Sequence, residues 1–271
     1  MTKKIIRGLI PAAALVFLYA PILILAVYSF TDATQIGAIR GFTLKNYGTL
    51  FTTEELRSMI IGTILLALAS ALLATLFGTL GAIGSFYSRK HVASAVSTVN
   101  QIPVINADVV TGFSLCILLV VVLGIKKDTY LPLLFGHVTL SAPFVFLSVM
   151  PKLKQMDSSL YEAALDLGAT PASALFRVVL PQIFPGMVSG FSLAVTLSLD
   201  DYFIATYTKP ATFDTISTYV VNATKGSQTA IKTALWALST LIFVIVILIV
   251  VGMSVKSSRE EAEKHRKEAA R

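Results

Sequence analysis

The chain has 271 residues, of which 55% are hydrophobic and only 14% charged, with a mean hydropathy of +0.77. Soluble domains carry roughly 25% charged residues, so a water-soluble fold has no way to bury this composition. The net charge of +7 does not indicate a nucleic-acid partner, because the basic residues sit at the ends of apolar runs, where they anchor helices against anionic headgroups and so name membrane lipid as a partner.

The apolar runs fall at about 9–30, 59–86, 99–123, 130–150, 186–207 and 233–253. Each meets or exceeds the roughly 20 residues that a helix needs to cross a hydrocarbon core. The expected fold is an all-α integral membrane protein of about six transmembrane helices, organised as one transmembrane domain over 1–271. The first run follows Lys3, Lys4 and Arg7 but ends in no small-residue cleavage site, and reads as an uncleaved first helix. With the N-terminus in the cytoplasm, fourteen of the 22 basic residues lie inside, six of them in the 254–271 tail, whose four glutamates and Glu-to-Lys spacing predict a solvated helical extension. Both termini are then cytoplasmic. Gly78, Gly81 and Gly84 place small residues three apart in the second run, a pattern that lets a neighbouring helix approach closely.

Between the fourth and fifth runs lies a 35-residue stretch, 151–185, far longer than a connection requires. Ser159 three residues before Glu162 reads as a capping box, Leu160, Ala163, Ala164 and Leu167 form an apolar face, and Gly168 supplies a left-handed stop. Thr170 and Pro171 then restart a second short helix, expected to end before Pro181. Two short helices with a glycine corner predict a compact knob.

Three carboxylates, Asp108, Asp200 and Asp201, fall inside apolar runs, where an unpaired charge costs about 3 kcal/mol or more. On straight helices Asp108 would lie ~14 Å and Asp200 ~21 Å from the cytoplasmic ends of their spans. Carboxylates at staggered depths, with Tyr202, Phe203 and Tyr207 beside them, suit an elongated polycation through ion pairs and cation–π contact. The alternative is that they pair with Lys232, or with a basic residue of another subunit, to lock helices together. Asp200 is the stronger path candidate, since Asp201 is rotated from it by ~100° on a helix.

Other chemistries lack their residues. There is no G-x-x-x-x-G-K-[ST] loop for nucleotide, His91, His137 and His265 are scattered, and Ser114 and Cys116 have no partnered base, so no catalytic or metal-binding residue is expected.

The motif Glu162-Ala163-Ala164, with Asp166, Gly168, Leu180 and Pro181, resembles the EAA loop of type I ABC importer permeases. Phe42-Thr43-Leu44-Lys45-Asn46-Tyr47, Asp108 and Ser198-Leu199-Asp200-Asp201 are most similar to the spermidine/putrescine permeases. One departure is the polar Asn106-Ala107 approach to Asp108. The resemblance implies a permease of a prokaryotic inner membrane, forming half of a polyamine path. It implies a second permease subunit, an ATPase homodimer docking on 151–185, and an extracytoplasmic substrate-binding protein. It implies no cofactor in this chain, with ATP and Mg²⁺ held by the ATPase. Permeases for iron(III) or phosphonate share this layout. A stand-alone secondary carrier is the rival from another class, but it leaves the 151–185 knob unexplained.

Overall fold

The computed structural model describes residues 2–32, 41–157, 159–225, 233–244 and 247. Its helices are α1 (Thr2–Ser29), α2 (Lys45–Thr52), α3 (Glu54–Phe86), α4 (Lys90–Ile105), α5 (Asp108–Val122), α6 (Leu131–Gln155), α7 (Ser159–Asp166), α8 (Pro171–Asp200), α9 (Phe203–Thr208), α10 (Ile216–Lys225) and α11 (Thr233–Val244). Among the described residues the only β pairing is an isolated bridge between Thr31 and Phe42. The all-helical expectation holds. The 254–271 tail, the end of the sixth run and Lys232 lie outside the described residues.

Two compact units partition the chain, one from 1–57 with 222–271 and one from 58–221. In the first, Tyr28 of α1 meets Trp236 of α11 edge-on and Tyr19 meets Phe243. The turn after α1 is tied to α2 by Asn46, whose Nδ2 donates to the carbonyls of Ser29 and Thr31 at 2.9 and 3.1 Å. Ser29 Oγ lies 2.9 Å from Tyr47 Oη, and Phe30 stacks on Phe42. The Phe42–Tyr47 motif thus has a local structural job: it satisfies carbonyls left open at a helix end.

In the second unit α6 is central. Val145, Phe146, Val149 and Leu153 of α6 pack against Ala71, Ala74 and Ala82 of α3 and against Val179, Ile183 and Ala194 of α8. The opposite side of α3 exposes Leu65, Leu68, Leu72, Leu76 and Leu80, a strip untenable in water and suited to lipid. By length and composition α3, α6 and α8 are each able to cross a membrane, and α4 with α5 qualify as a bent pair. Residues Ala13–Ser29 and Thr233–Val244 add two shorter apolar helices.

Glycines set the helix spacing. A Cβ on Gly78 would stand 2.7 Å from the carbonyl oxygen of Ala142, whereas one on Gly81 would only touch Phe146 at 3.6 Å and one on Gly84 would meet nothing. Of the three glycines read as a packing stripe, Gly78 makes the close approach. A second pair, Gly186 and Gly190 of α8, lies against α6, with would-be Cβ contacts of 3.0 Å to Ser148 O and 3.1 Å to Val145 Cα. Because the obstacles are the Ala142 carbonyl and the stiff, β-branched side chain of Val145, both within 2.9 Å, Gly78→Val is expected to cost about 1–3 kcal/mol through overpacking. Gly84→Ala should be neutral or gain up to about 1 kcal/mol from helix propensity. Thermal unfolding of the two variants in detergent checks the contrast, and equal midpoints would refute the packing account.

Two expected spans are not straight. The third run is α4 and α5 bent by 105° at Asn106–Ala107. Pro103 removes a backbone donor one turn earlier, and both break residues are extended, with ψ of 148° and 132°. The fifth run ends as a helix at Asp200, and Asp201 is extended with ψ 125° before α9 starts. Nor does the second helix of the 151–185 stretch stop before Pro181: α8 runs through it. Pro181 has no N–H, and its ring crowds the carbonyl four residues back. A π turn over Leu175–Val179, in which the Leu180 N–H reaches Leu175 O, widens the helix just upstream and absorbs that mismatch.

Candidate translocation cavity and coupling loop

Residues flanking the first helix break and the second break itself line one cavity of about 380 Å³, formed by Asp108, Asp200, Asp201, Tyr202 and Phe203 together with Pro103, Val104, Leu140, Phe144 and Leu197. Irregular backbone inside a membrane is tolerated where it lines such a cavity. Asp108 opens α5, in the first turn of the helix, and Asp200 closes α8. Asp108 and Asp200 therefore line one cavity, each where its helix starts or ends at a break. The lining holds three carboxylates and no basic side chain.

The three acids differ in surroundings. Asp108 and Asp200 are exposed and make no hydrogen bond or ion pair among the described residues. Asp201 is buried, and its carboxylate accepts the backbone N–H groups of Ile204 at 3.3 Å and Ala205 at 2.7 Å, so it caps α9. Tyr202 lines the cavity, whereas Tyr207 turns to Phe113, with ring centroids 5.7 Å apart. The short α9 is held between two glycines: a Cβ on Gly112 would stand 3.0 Å from Ile204 Cα, and one on Gly136 2.8 Å from Ile204 Cγ2.

A residue that sequence reasoning passed over lies behind Asp201. His137 of α6 is fully buried, with Nδ1 2.7 Å from Ser198 Oγ and Nε2 3.7 Å from Asp201 Oδ2. Ser198 Oγ lies in turn 3.1 Å from Ser70 Oγ of α3. The available signal was a histidine in an apolar run, discounted because it stood alone.

In the 151–185 stretch, Gly168 has φ +86°, the left-handed corner expected for it. The Ala169 N–H bonds to Ala164 O and the Gly168 N–H to Leu165 O, the two bonds of a Schellman stop. Thr170 Oγ1 accepts the Ser173 N–H at 3.2 Å ahead of Pro171, as expected. The first cap differs: Asp157 Oδ1 accepts the Ser159 N–H, so Asp157 takes the position read for Ser159. A carboxylate is the stronger acceptor for a helix N-terminus, and the hydrogen bonds from Ser159 hold Asp157 below its ordinary carboxylate range. That contribution is present above the unfolded-state pKa and lost as pH falls through the lowered one. Glu162, Ala163, Asp166 and Pro181 are exposed, Ala164 and Leu180 half-buried, and Leu167 projects almost fully at 89% exposure. Tyr161 packs on Tyr87 just beyond the end of α3, with ring centroids 5.2 Å apart.

Residues 75–259 match the family described as the binding-protein-dependent transport system inner membrane component. The chain belongs to that family. It is a permease subunit of an ABC importer, a multi-pass protein of the bacterial inner membrane, and not an enzyme. Among similar proteins, the putrescine transport system permease protein PotI of Escherichia coli K12 is 34% identical over 200 residues, 70% of each chain. The spermidine/putrescine transport system permease protein PotC is 30% identical in E. coli K12, over 93% of this chain and 94% of that one. The PotC of Haemophilus influenzae is 31% identical, over 93% and 96%. A bacterial ABC transporter that imports the polysaccharide alginate shares the fold, with a TM-score of 0.70, 15% identity and coverage of 93% and 96%. The same kind of transporter, in complex with a periplasmic protein carrying an alginate pentasaccharide, gives 0.71, 20% identity and coverage of 92% and 93%.

Proposed function

We propose that this permease forms half of a translocation path for polyamines, with Asp108 and Asp200 as the charges that meet the migrating ammonium groups. The observation that carries the reading is the convergence of unpartnered carboxylates on a cavity without a basic lining residue. An anionic solute would be repelled there, while a diammonium chain gains ion pairs for its ends and, from Tyr202 and Phe203, ring faces for its methylenes. The names of the PotI and PotC relatives support the same substrate class.

The rest of the machine follows from the family. A second permease completes the path, an extracytoplasmic binding protein delivers substrate, and an ATPase homodimer, holding ATP and Mg²⁺, docks on 151–185. That stretch is then cytoplasmic, as are both termini, and Glu162, Ala163, Ala164, Asp166, Gly168, Leu180 and Pro181 form the coupling element. Residues 1–271 act as one transmembrane permease domain. The exposed Leu167, Leu160 and Phe176 give the knob an apolar surface for a partner to cover.

The test is uptake by the complete importer reconstituted in vesicles with its binding protein. Labelled putrescine or spermidine should enter only with internal ATP and be displaced by excess unlabelled polyamine. Uptake of iron(III) or a phosphonate with no polyamine uptake would replace the substrate assignment, and ATP-independent uptake would overturn the importer assignment for this complex.

A further inference from the structure

Among the described residues three buried side-chain polar atoms, Thr79 Oγ1, Ser141 Oγ and His137 Nε2, find no hydrogen-bond partner, and His137 is the one that faces a cavity carboxylate. His137 Nε2 has no hydrogen-bond partner although the ring is fully enclosed, and a buried donor left unpaired costs about 1–3 kcal/mol. Its position explains the tolerance. Nδ1 is engaged by Ser198 Oγ at 2.7 Å, and Nε2 is directed at Asp201 Oδ2 at 3.7 Å, beyond hydrogen-bond length but well within electrostatic reach. With Ser198 donating to Nδ1, the ring proton sits on Nε2 and its positive end faces the carboxylate. The opposite tautomer would set a lone pair against that charge. The same carboxylate also holds two α9 N–H groups. Asp201 is thus clasped from both sides, while Asp108 and Asp200, on the same cavity, are not.

We infer that His137 is a specificity-determining positioning residue: it keeps Asp201 on the protein backbone, so that the cavity presents two carboxylates to substrate instead of three. This rests on the reading of the cavity as a polyamine path. Two free carboxylates match the two charges of putrescine. A released third would hold the triamine spermidine longer than the diamine, and slow release lowers turnover even as it tightens binding.

The experiment compares KM and Vmax for labelled putrescine and spermidine in the reconstituted complete importer. His137→Asn places an amide where Nδ1 stands and removes the edge facing Asp201. It is expected to lower Vmax and KM for spermidine about three- to tenfold while changing putrescine less than twofold, a span equal to roughly 0.7–1.4 kcal/mol. His137→Gln, whose amide reaches the Nε2 position, should restore the wild-type ratio. Adding Asp201→Asn to His137→Asn should reverse the spermidine effect. A purely structural role would instead lower complex yield and move both substrates together, and either that result or an unreversed effect in the double variant overturns the inference. Should His137→Asn fail to assemble, Asp201→Asn alone decides: it should raise the KM for spermidine at least threefold less than Asp200→Asn does, and equal rises overturn the inference. If Asp108→Asn and Asp200→Asn leave uptake intact, the path reading falls and this inference with it. If they cut uptake while His137→Asn leaves the ratio within twofold, only this inference falls.

Discussion

Replacing Asp108 and Asp200 together by asparagine is expected to lower polyamine uptake about a hundredfold, and each alone about tenfold, while the complex assembles in normal yield. A hydrogen bond to a charged group is worth about 1.5–3 kcal/mol, and each 1.4 kcal/mol is tenfold, so losing two ammonium contacts accounts for a change of that size. Asparagine keeps the volume and much of the hydrogen-bonding capacity of aspartate. The loss would therefore report charge rather than shape. The competing role, locking of helices by buried ion pairs, makes a different forecast: removing one partner strands the other and costs about 3–5 kcal/mol, which appears as lost assembly or thermal stability. Both side chains are exposed and neither finds a cation among the described residues. A locking partner would then have to come from Lys232 or another subunit. Measuring labelled spermidine uptake beside the yield of intact complex separates the two. Full uptake in the double variant would defeat the path, and collapse of assembly would reassign the acids to packing.

What was legible in the sequence follows physical range. The apolar, all-helical character, the glycine corner at Gly168 and the Thr170-Pro171 restart depend on local chemistry, namely transfer free energy, positive φ and a proline without a donor, and the structure shows all three among the described residues. The breaks at Asn106–Ala107 and Asp201–Tyr202 also had local marks, Pro103 with Asn106 and Asp108 a turn further on, and a double aspartate. Hydropathy averages over such marks, and the runs looked continuous. With the helices taken as straight, the shared cavity that Asp108 and Asp200 line at the two breaks was not foreseen. His137 was illegible for another reason. Its role depends on Ser198 and Asp201, more than sixty residues away in the chain, and no spacing rule joins them. The same holds for Gly186 and Gly190, whose closeness to α6 is a tertiary fact. The π turn before Pro181 was missed because a proline usually ends a helix, and here the helix widened instead.

Changing Gly168 to valine is expected to abolish most substrate-stimulated ATP hydrolysis, by about tenfold or more, while the membrane-spanning helices still insert. The residue sits at φ +86° with open space around its Cα, so no clash with a neighbour opposes a larger side chain. The obstacle is the backbone itself, since a β-branched residue in the left-handed region costs about 1–3 kcal/mol. The corner can relieve that strain only by giving up the bonds from Ala169 to Ala164 and from Gly168 to Leu165 that end α7. Once these go, α7 frays or swings, and the exposed side chains of Glu162 and Leu167 no longer hold a fixed position relative to Thr170, where α8 begins. Because α8 continues through its π turn from Pro171 to Asp200 at the cavity, a knob that docks on an ATPase would be joined to the substrate acids by one helix. Losing the corner would then disconnect hydrolysis from the path without touching either end. The measurement is ATPase stimulation by substrate-loaded binding protein in reconstituted complexes, with Gly168→Asn alongside, since asparagine tolerates the left-handed region and should retain most of the coupling. Normal stimulation in Gly168→Val, with the complex intact, would mean that the knob is not the docking element.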